Sequence, residues 1–394
     1  MKKSVSIIGG GPAALLCAAF LDSEKFEVTI YEKQKTLARK FLVAGKGGFN
    51  LSHSEAITQM IERYTPKSFL EEVLLSFDNT DLRSWLASIG IPTFIGSSKR
   101  VYPEKGIKPI EVLNAIIDVL KKKGVKFQFE HTWIGWENTS LVFNSQQKVN
   151  SEISIFALGG KSWKKMGSDG TWDVKFQEQG ISVLPFQVSN CAFGVQWDSS
   201  FIQKHQGSPL KSIAISCLGN TQKGEVVLTQ FGLEGNAIYA LSPQIREQLN
   251  ADGKADVFID LKPTVSVETL NTKFENSSFK KTSEILKNDL NMNAVQLALV
   301  KQYVSKEDFM NPSLLMEKIK SLKIELVSAS PINEAISTVG GLDLNALDEN
   351  FQLKNRKGTY CIGEMLDWDA PTGGYLLQAC FSMGVALARS LNVK

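Results

Sequence analysis

The stretch that decides the fold is Val5-Ser6-Ile7-Ile8-Gly9-Gly10-Gly11-Pro12-Ala13-Ala14. Its first four residues are short, β-branched and largely apolar, which suits a strand buried in a parallel sheet. They run straight into three glycines and a proline, and a helical stretch through about Leu21 follows. This is the G-x-G-x-x-G/A pattern in its required strand, turn and helix context, with Gly9, Gly11 and Ala14 in the small positions. Gly9 permits the tight turn, Gly11 lets the backbone approach a pyrophosphate, and Ala14 lets the helix pack closely on the strand. Pro12 and Ala13 open a helix whose free N–H groups and dipole favour phosphate. Glu27-Val28-Thr29-Ile30-Tyr31 predicts a second strand that ends at Glu32, roughly 20 residues past the first glycine, where a carboxylate accepts both hydroxyls of an adenosine ribose. Lys33 stands beside it. The plain alternative is a glycine turn with an unrelated surface glutamate, and the ordered series of elements argues against it. The motif alone does not separate FAD from NAD.

The C-terminus supplies a second site. Gly358-Thr359-Tyr360-Cys361-Ile362-Gly363-Glu364 reads as a strand ending in Gly-acid, and Pro371-Thr372-Gly373-Gly374-Tyr375 opens a helical segment to about Leu391. Ala379, Ser382, Gly384, Ala386 and Ala388 let that helix pack tightly. In flavoproteins built this way, the acid, here Glu364, lies near the ribityl hydroxyls. The Thr-Gly-Gly turn aims helix N–H groups at the pyrimidine end of the ring, where the reduced flavin is negative. An ordinary glycine-rich helix cap is the alternative. A dinucleotide fingerprint at one end of the chain and this turn at the other are what FAD needs.

Between these sites, Arg39, Lys40 and Lys46 with Gly45, Gly47 and Gly48 form a basic glycine-rich loop that could fold over the pyrophosphate, unless it is simply a solvated turn. Ser52-His53-Ser54-Glu55 fits a capping box, so Ser52 is expected to start a helix, and His53 is kept only as a candidate lining the flavin. Arg100-Val101-Tyr102-Pro103 places a cation and a phenol beside a proline turn. Arg100 could polarise a carbonyl or deliver a proton, with a surface ion pair as the bland reading. Ile153 to Leu158 predicts another central strand, ending at Gly159-Gly160. Apolar residues at helical spacing from Phe69 to Phe77, Leu82 to Ile89 and Val112 to Leu120 read as core, and Lys121-Lys122-Lys123-Gly124 as the cap of the last of these helices.

Two segments, Arg39 to Glu55 (RKFLVAGKGGFNLSHSE) and Gly363 to Tyr375 (GEMLDWDAPTGGY), closely resemble the BaiN/RdsA-like NAD(P)/FAD-dependent oxidoreductases. Further echoes are Ala157-Leu158-Gly159-Gly160, Gly167-Ser168-Asp169-Gly170, Thr229 to Gly235 and Ser337 to Gly341, so the resemblance covers the chain from end to end. It adds Asn50, Leu51, Ser52 and Asp369 to the candidate cofactor residues. It implies an α/β fold: a Rossmann-like FAD-binding domain from both chain ends, 1–185 and 331–394, with an inserted domain at 186–330. That insertion is expected to be β-barrel-like and β-rich over 186–265 and helical over 266–322, and to cap the substrate.

Composition narrows the function classes. The 394 residues carry 44 Lys+Arg against 41 Asp+Glu, a net charge of +3, which leaves no dominant field for nucleic acid. Five cysteines without a C-x-x-C pair indicate neither a disulfide framework nor a dithiol redox site, and three histidines without clustered carboxylates make a metal site improbable. Glycines interrupt the apolar N-terminus, no apolar run approaches the ~18 residues a membrane span requires, and a soluble cytoplasmic protein is expected. No second G-x-G-x-x-G follows a strand. The expectation is an FAD-dependent reductase in which flavin N5 passes hydride to an activated double bond of a small molecule. NAD(P)H would be a transient donor. A flavin oxidase or hydroxylase, and a flavin-binding regulatory or RNA-associated protein, stand as alternatives.

Overall fold

The computed structural model describes residues 1–43 and 48–393. The chain forms two compact units, one of Met1–Val188 with Ile332–Lys394 and one of Ser189–Pro331. The first is built on a five-stranded parallel sheet in the order Thr359–Cys361, Ile153–Phe156, Lys3–Ile8, Phe26–Glu32, Lys126–Phe129. Val5 lies opposite Ile153 on one side and Val28 on the other, so the strand that opens the chain is central and its apolar residues are covered. Strands two, three and four of that order therefore end together. Gly9 N donates to Tyr31 O at 2.8 Å, Ala157 N to Ile8 O at 2.9 Å, and Ile362 N to Phe156 O at 2.9 Å. These bonds bring Gly9, Glu32, Gly159 and Gly363 to one sheet edge, at the carboxyl ends of the strands where open α/β sheets bind ligands.

Two helices from opposite ends of the chain pack against each other above this sheet, Pro12–Phe20 and Tyr375–Val393. The contact is closest at Gly384, where a β-carbon would stand 2.3 Å from Ala13 O and 2.9 Å from Cys17 N. Among the described residues, Tyr375–Val393 is the one helix long and apolar enough by length and composition to cross a membrane, a feature the reading of apolar runs did not register. Much of its apolar surface is buried inside the unit, including Ala379, Phe381, Met383, Val385 and Leu387. The lysine run that closes the helix Pro109–Lys122 also does more than cap it. Lys123 Nζ donates to Ala19 O at 2.6 Å and Leu21 O at 2.7 Å, at the C-terminal end of the neighbouring helix, where a cation meets orphan carbonyls. A small antiparallel sheet, Trp133–Glu137, Ser140–Phe143 and Lys148–Val149, carries Trp133 and Trp136 onto Phe156 at ring distances of 4.8 and 5.2 Å.

The second unit holds a seven-stranded antiparallel sheet in the order Leu322–Leu326, Ala255–Asp260, Pro209–Cys217, Asn220–Leu228, Gly232–Glu234, Phe193–Gly194, Ser328–Ala329. Its helices start where the sequence offers caps: Ser266, Asn293 with Gln296, Ser305, and Asn311 ahead of Pro312. The helical tract stops at Lys320. The alternation Leu322-Lys323-Ile324-Glu325-Leu326 then makes a strand, with Leu322, Ile324 and Leu326 buried.

Because the Gly384 contact involves backbone on both sides, no rotamer change relieves it. Gly384→Val should lower the unfolding free energy by about 2 kcal/mol or more, read from the midpoint of urea denaturation followed by far-UV circular dichroism.

Candidate functional site

The glycine turn is built by contact. Gly9 has φ +100, and a β-carbon there would stand 2.4 Å from Ala157 O, so only glycine suits the position. Gly11 differs. It has extended backbone, precedes the helix without a side-chain cap, and a β-carbon there would meet nothing within 4 Å. The helix N-terminus, with Pro12 in its first turn and Ala13 and Ala14 buried behind it, thus opens on clear space. Glu32 sits at the end of the second strand. Its Oε2 accepts from Gly10 N at 2.8 Å and its Oε1 from Gln34 N at 2.8 Å. Burial pushes its pKa up, and the bonds from Gln34 and Gly10 oppose the shift. A carboxylate so fixed keeps lone pairs for hydroxyl donors. An open helix terminus with a fixed acid across from it fits the diphosphate and ribose of a dinucleotide.

The cations expected over the pyrophosphate are placed differently. Lys33 pairs with Asp169 at 2.9 Å, and Arg39 Nη1 donates to Gln34 Oε1 at 2.6 Å. Lys40 Nζ donates to Glu364 Oε1 and Oε2 at 2.9 and 2.8 Å and to Ser162 Oγ at 2.9 Å. Lys46 and Gly47 lie outside the described residues. Gly160 lies against Glu364 and Thr338, where its β-carbon would stand 3.4 Å from Glu364 Cδ and 2.2 Å from Thr338 Oγ1. Ser168 Oγ holds Gly160 O at 2.9 Å, and Trp172 Nε1 holds Gly159 O at 3.0 Å.

A second group gathers at the start of the C-terminal helix. Gly374 has φ +104 and lies so close to Ser52 that a β-carbon would stand 2.4 Å from its carbonyl carbon. Ser52 does not start a helix. Ser52–His53 is a strand paired with Arg100–Pro103, and the helix begins at Ile57. The reason is that the Ser52 hydroxyl donates to buried Gln378 Oε1 at 2.7 Å. Glu55 is equally diverted from the capping box: its carboxylate takes Arg63 Nη2 at 2.6 Å and the Tyr375 hydroxyl at 2.8 Å. His53 stacks on Tyr375 with ring centroids 4.9 Å apart, and its Nδ1 accepts from Glu55 N at 3.1 Å, which leaves the proton of the neutral ring on Nε2. Burial pushes the His53 pKa down and Arg100 and Arg63 push the same way, against Glu55 and a backbone bond at Ser98.

Arg100 faces His53 across the strand pair, and its Nε lies 3.4 Å from where a β-carbon of Gly373 would stand. Its guanidinium makes no hydrogen bond or ion pair among the described residues. Tyr102 stacks on Phe94 at 5.6 Å, and its ring lies 3.1 Å from a β-carbon at Gly48 and 2.8 Å from one at Gly96. Asn50 N bonds Gly48 O at 3.0 Å and shapes this loop. Leu51 is fully buried and belongs to the core. Asp369 is buried too, its Oδ1 accepting from Ala370 N at 2.9 Å while its backbone bridges Thr65. Pro12, Gly159 and Gly363 lie at the strand-end edge, whereas Tyr375 belongs to the second group, against Glu55 and His53. Ser162, Arg63 and Gln378 were not singled out by the sequence, and Thr338 entered only within the Ser337 to Gly341 echo; an isolated polar residue carries no spacing signal.

Fold and site define the class: this is an FAD-dependent oxidoreductase built on a Rossmann-type domain assembled from both chain ends. The chain matches the HI0933-like protein Rossmann domain family over residues 3–390 and belongs to it, in agreement with the resemblance carried by its two motif segments. It is 26% identical to a ribosomal RNA dihydrouridine synthase of Haemophilus influenzae over 98% of each chain. It is 23% identical to a 3-dehydro-bile acid delta(4,6)-reductase of Clostridium scindens, again over 98% of each. A flavocytochrome c3 fumarate reductase shares the fold, with a TM-score of 0.51 and 13% identity over 98% of this chain and 77% of that one.

The Glu55 hub makes stability depend on pH. Burial raises its pKa, but Arg63 and the Tyr375 hydroxyl outweigh burial and hold it below the ordinary 4.5. A carboxylate depressed in the folded state stabilises above its unfolded pKa, and that stability is lost as pH falls through the folded value. Unfolding free energy should therefore decline as pH drops below 4.5, and Glu55→Gln should start lower and show a flatter decline in denaturant titrations across that range.

Proposed function

We propose that this chain is a reductase that saturates a carbon–carbon double bond conjugated to a carbonyl, with NAD(P)H as electron donor. The observation that carries the reading is Arg100, a guanidinium without an anionic partner among the described residues, set beside Gly373 of the turn that opens the C-terminal helix. Adding hydride to the far end of a conjugated bond drives negative charge onto the carbonyl oxygen, and an unneutralised guanidinium stabilises that charge. His53, on the same strand pair, packs on Tyr375 and lines this face. The Tyr375 hydroxyl is committed to Glu55 and only orients the site.

Bound FAD supplies the hydride transfer. The chain would hold its diphosphate at the open helix end by Gly11, its adenosine ribose at Glu32 and the far end of the flavin at Thr372-Gly373-Gly374. The names of both relatives fit one chemistry. A 3-dehydro steroid with 4,6 double bonds is a conjugated ketone, and dihydrouridine is uridine whose ring double bond, conjugated to a carbonyl, has been saturated. The nearly balanced charge of 44 against 41 supports a small-molecule enone as substrate. Uracil in ribosomal RNA is the second reading, favoured by the relative at 26% identity.

Anaerobic NADH or NADPH should bleach the flavin spectrum of the FAD-loaded protein. A 4-ene-3-keto steroid should then restore it, or uridine-containing ribosomal RNA under the second reading. Oxygen uptake with peroxide formed only in the presence of substrate would instead identify an oxidase and overturn the proposal. Arg100→Ala should slow reoxidation by the acceptor about 100-fold and leave bleaching by nicotinamide unchanged. Gly11→Val should fold normally, since a β-carbon there has no protein atom within 4 Å, yet retain no FAD; full flavin occupancy would remove the diphosphate from that helix end.

A further inference from the structure

We propose that Lys40 is a positioning residue that cancels the charge of Glu364 beside the phosphate-binding helix end, and that it does not touch the phosphates. The inference rests on the FAD reading above. An ammonium has three hydrogens to donate, and Lys40 uses all three, two on Glu364 and one on Ser162 Oγ. None is left for a phosphate oxygen. Ser162 is fully buried, so the third bond fixes the ammonium from the protein side.

Glu364 stands where its charge matters. Gly363 packs on the first turn of the Pro12–Phe20 helix, with a β-carbon at Gly363 falling 3.1 Å from Ala13 Cβ. The Glu364 side chain is 16% exposed, so solvent screens it poorly. An unpaired carboxylate in that position would repel a diphosphate approaching the open end at Gly11. Lys40 removes the repulsion without removing the hydrogen-bond acceptor. The lysine is delivered by the short helix Arg39–Val43, tied to the glycine turn by Ala38 N donating to Gly10 O at 3.0 Å. Lysine, acid and phosphate turn are thus built as one unit.

The test is a double-mutant cycle on FAD affinity, read by quenching of flavin fluorescence at low and high salt. Lys40→Met should weaken binding about tenfold at low salt, and in a Glu364→Gln background the same change should cost less than about threefold. The loss in Lys40→Met should change little as salt rises, because ions screen a carboxylate of such low exposure poorly. Lys40→Arg, which keeps the charge with a different donor geometry, should stay within about threefold of wild type. Equal losses from Lys40→Met in both backgrounds would show a direct phosphate contact and overturn the inference while leaving the FAD reading intact. Failure of the wild-type protein to bind FAD at all would overturn both.

Discussion

The contact on which the first unit depends is the approach of Gly9 to the carbonyl of Ala157, across the ends of two parallel strands. The chain leaves the first strand with φ +100 at Gly9, and a side chain there would collide with the neighbouring strand. This geometry turns the chain at once into the Pro12–Phe20 helix, so that the helix N-terminus lies over the strand ends and its unbonded N–H groups point away from the protein. Strand order does the rest. With the first strand central, its two neighbours must end at the same level, and they bring Glu32 on one side and Gly159-Gly160 on the other. The strand Thr359–Cys361, beyond Ile153–Phe156, adds Gly363-Glu364.

The C-terminal helix couples this edge to the second group of residues. Its body is pressed on Pro12–Phe20 through Gly384, and its first turn is pressed on the Ser52–His53 strand through Gly374. One rigid rod therefore spans both, and the buried bonds of Gln378 and Ser382 to Phe77 O and Ser52 fix its rotation. A polar residue buried at the start of a helix is costly unless satisfied, and here every such group has a named partner. Residues distant in sequence, such as His53, Arg100 and Gly373, become neighbours because they are attached to this one element and the short strands beside it.

The parallel sheet, the turn and the helices of the first unit were legible because each depends on local pattern: a run of β-branched residues, glycines at fixed offsets, apolar residues at helical spacing. The failures share a physical cause. Ser52 and Glu55 have the spacing of a capping box, but a box competes with other partners, and Gln378, Arg63 and Tyr375 offer buried or charge-assisted bonds that a frayed helix start cannot match. Lys123 reached a neighbouring helix for the same reason, since the nearest orphan carbonyls in space were not the nearest in sequence. The three-stranded sheet around Trp133 was missed because its strands are short and its aromatic residues fit either period. Lys40, expected over the pyrophosphate, meets Glu364 and Ser162 in this structure, a grouping that no sequence spacing announces.

The charges of the site are consequently sorted by function. At the helix end, Glu364 is matched by the Lys40 ammonium, and Glu32 is held by the backbone N–H groups of Gly10 and Gln34. At the other end the arrangement is reversed. Arg100 has no hydrogen-bond or ionic partner for its guanidinium among the described residues, while Glu55 is engaged by Arg63 and Tyr375. A site that bound ground-state charge at both ends would gain affinity and nothing in rate. Under the function proposed above, compensated charge near the diphosphate and uncompensated charge where an anion only develops is the division expected of a protein that binds a dinucleotide and meets negative charge on its substrate during reaction.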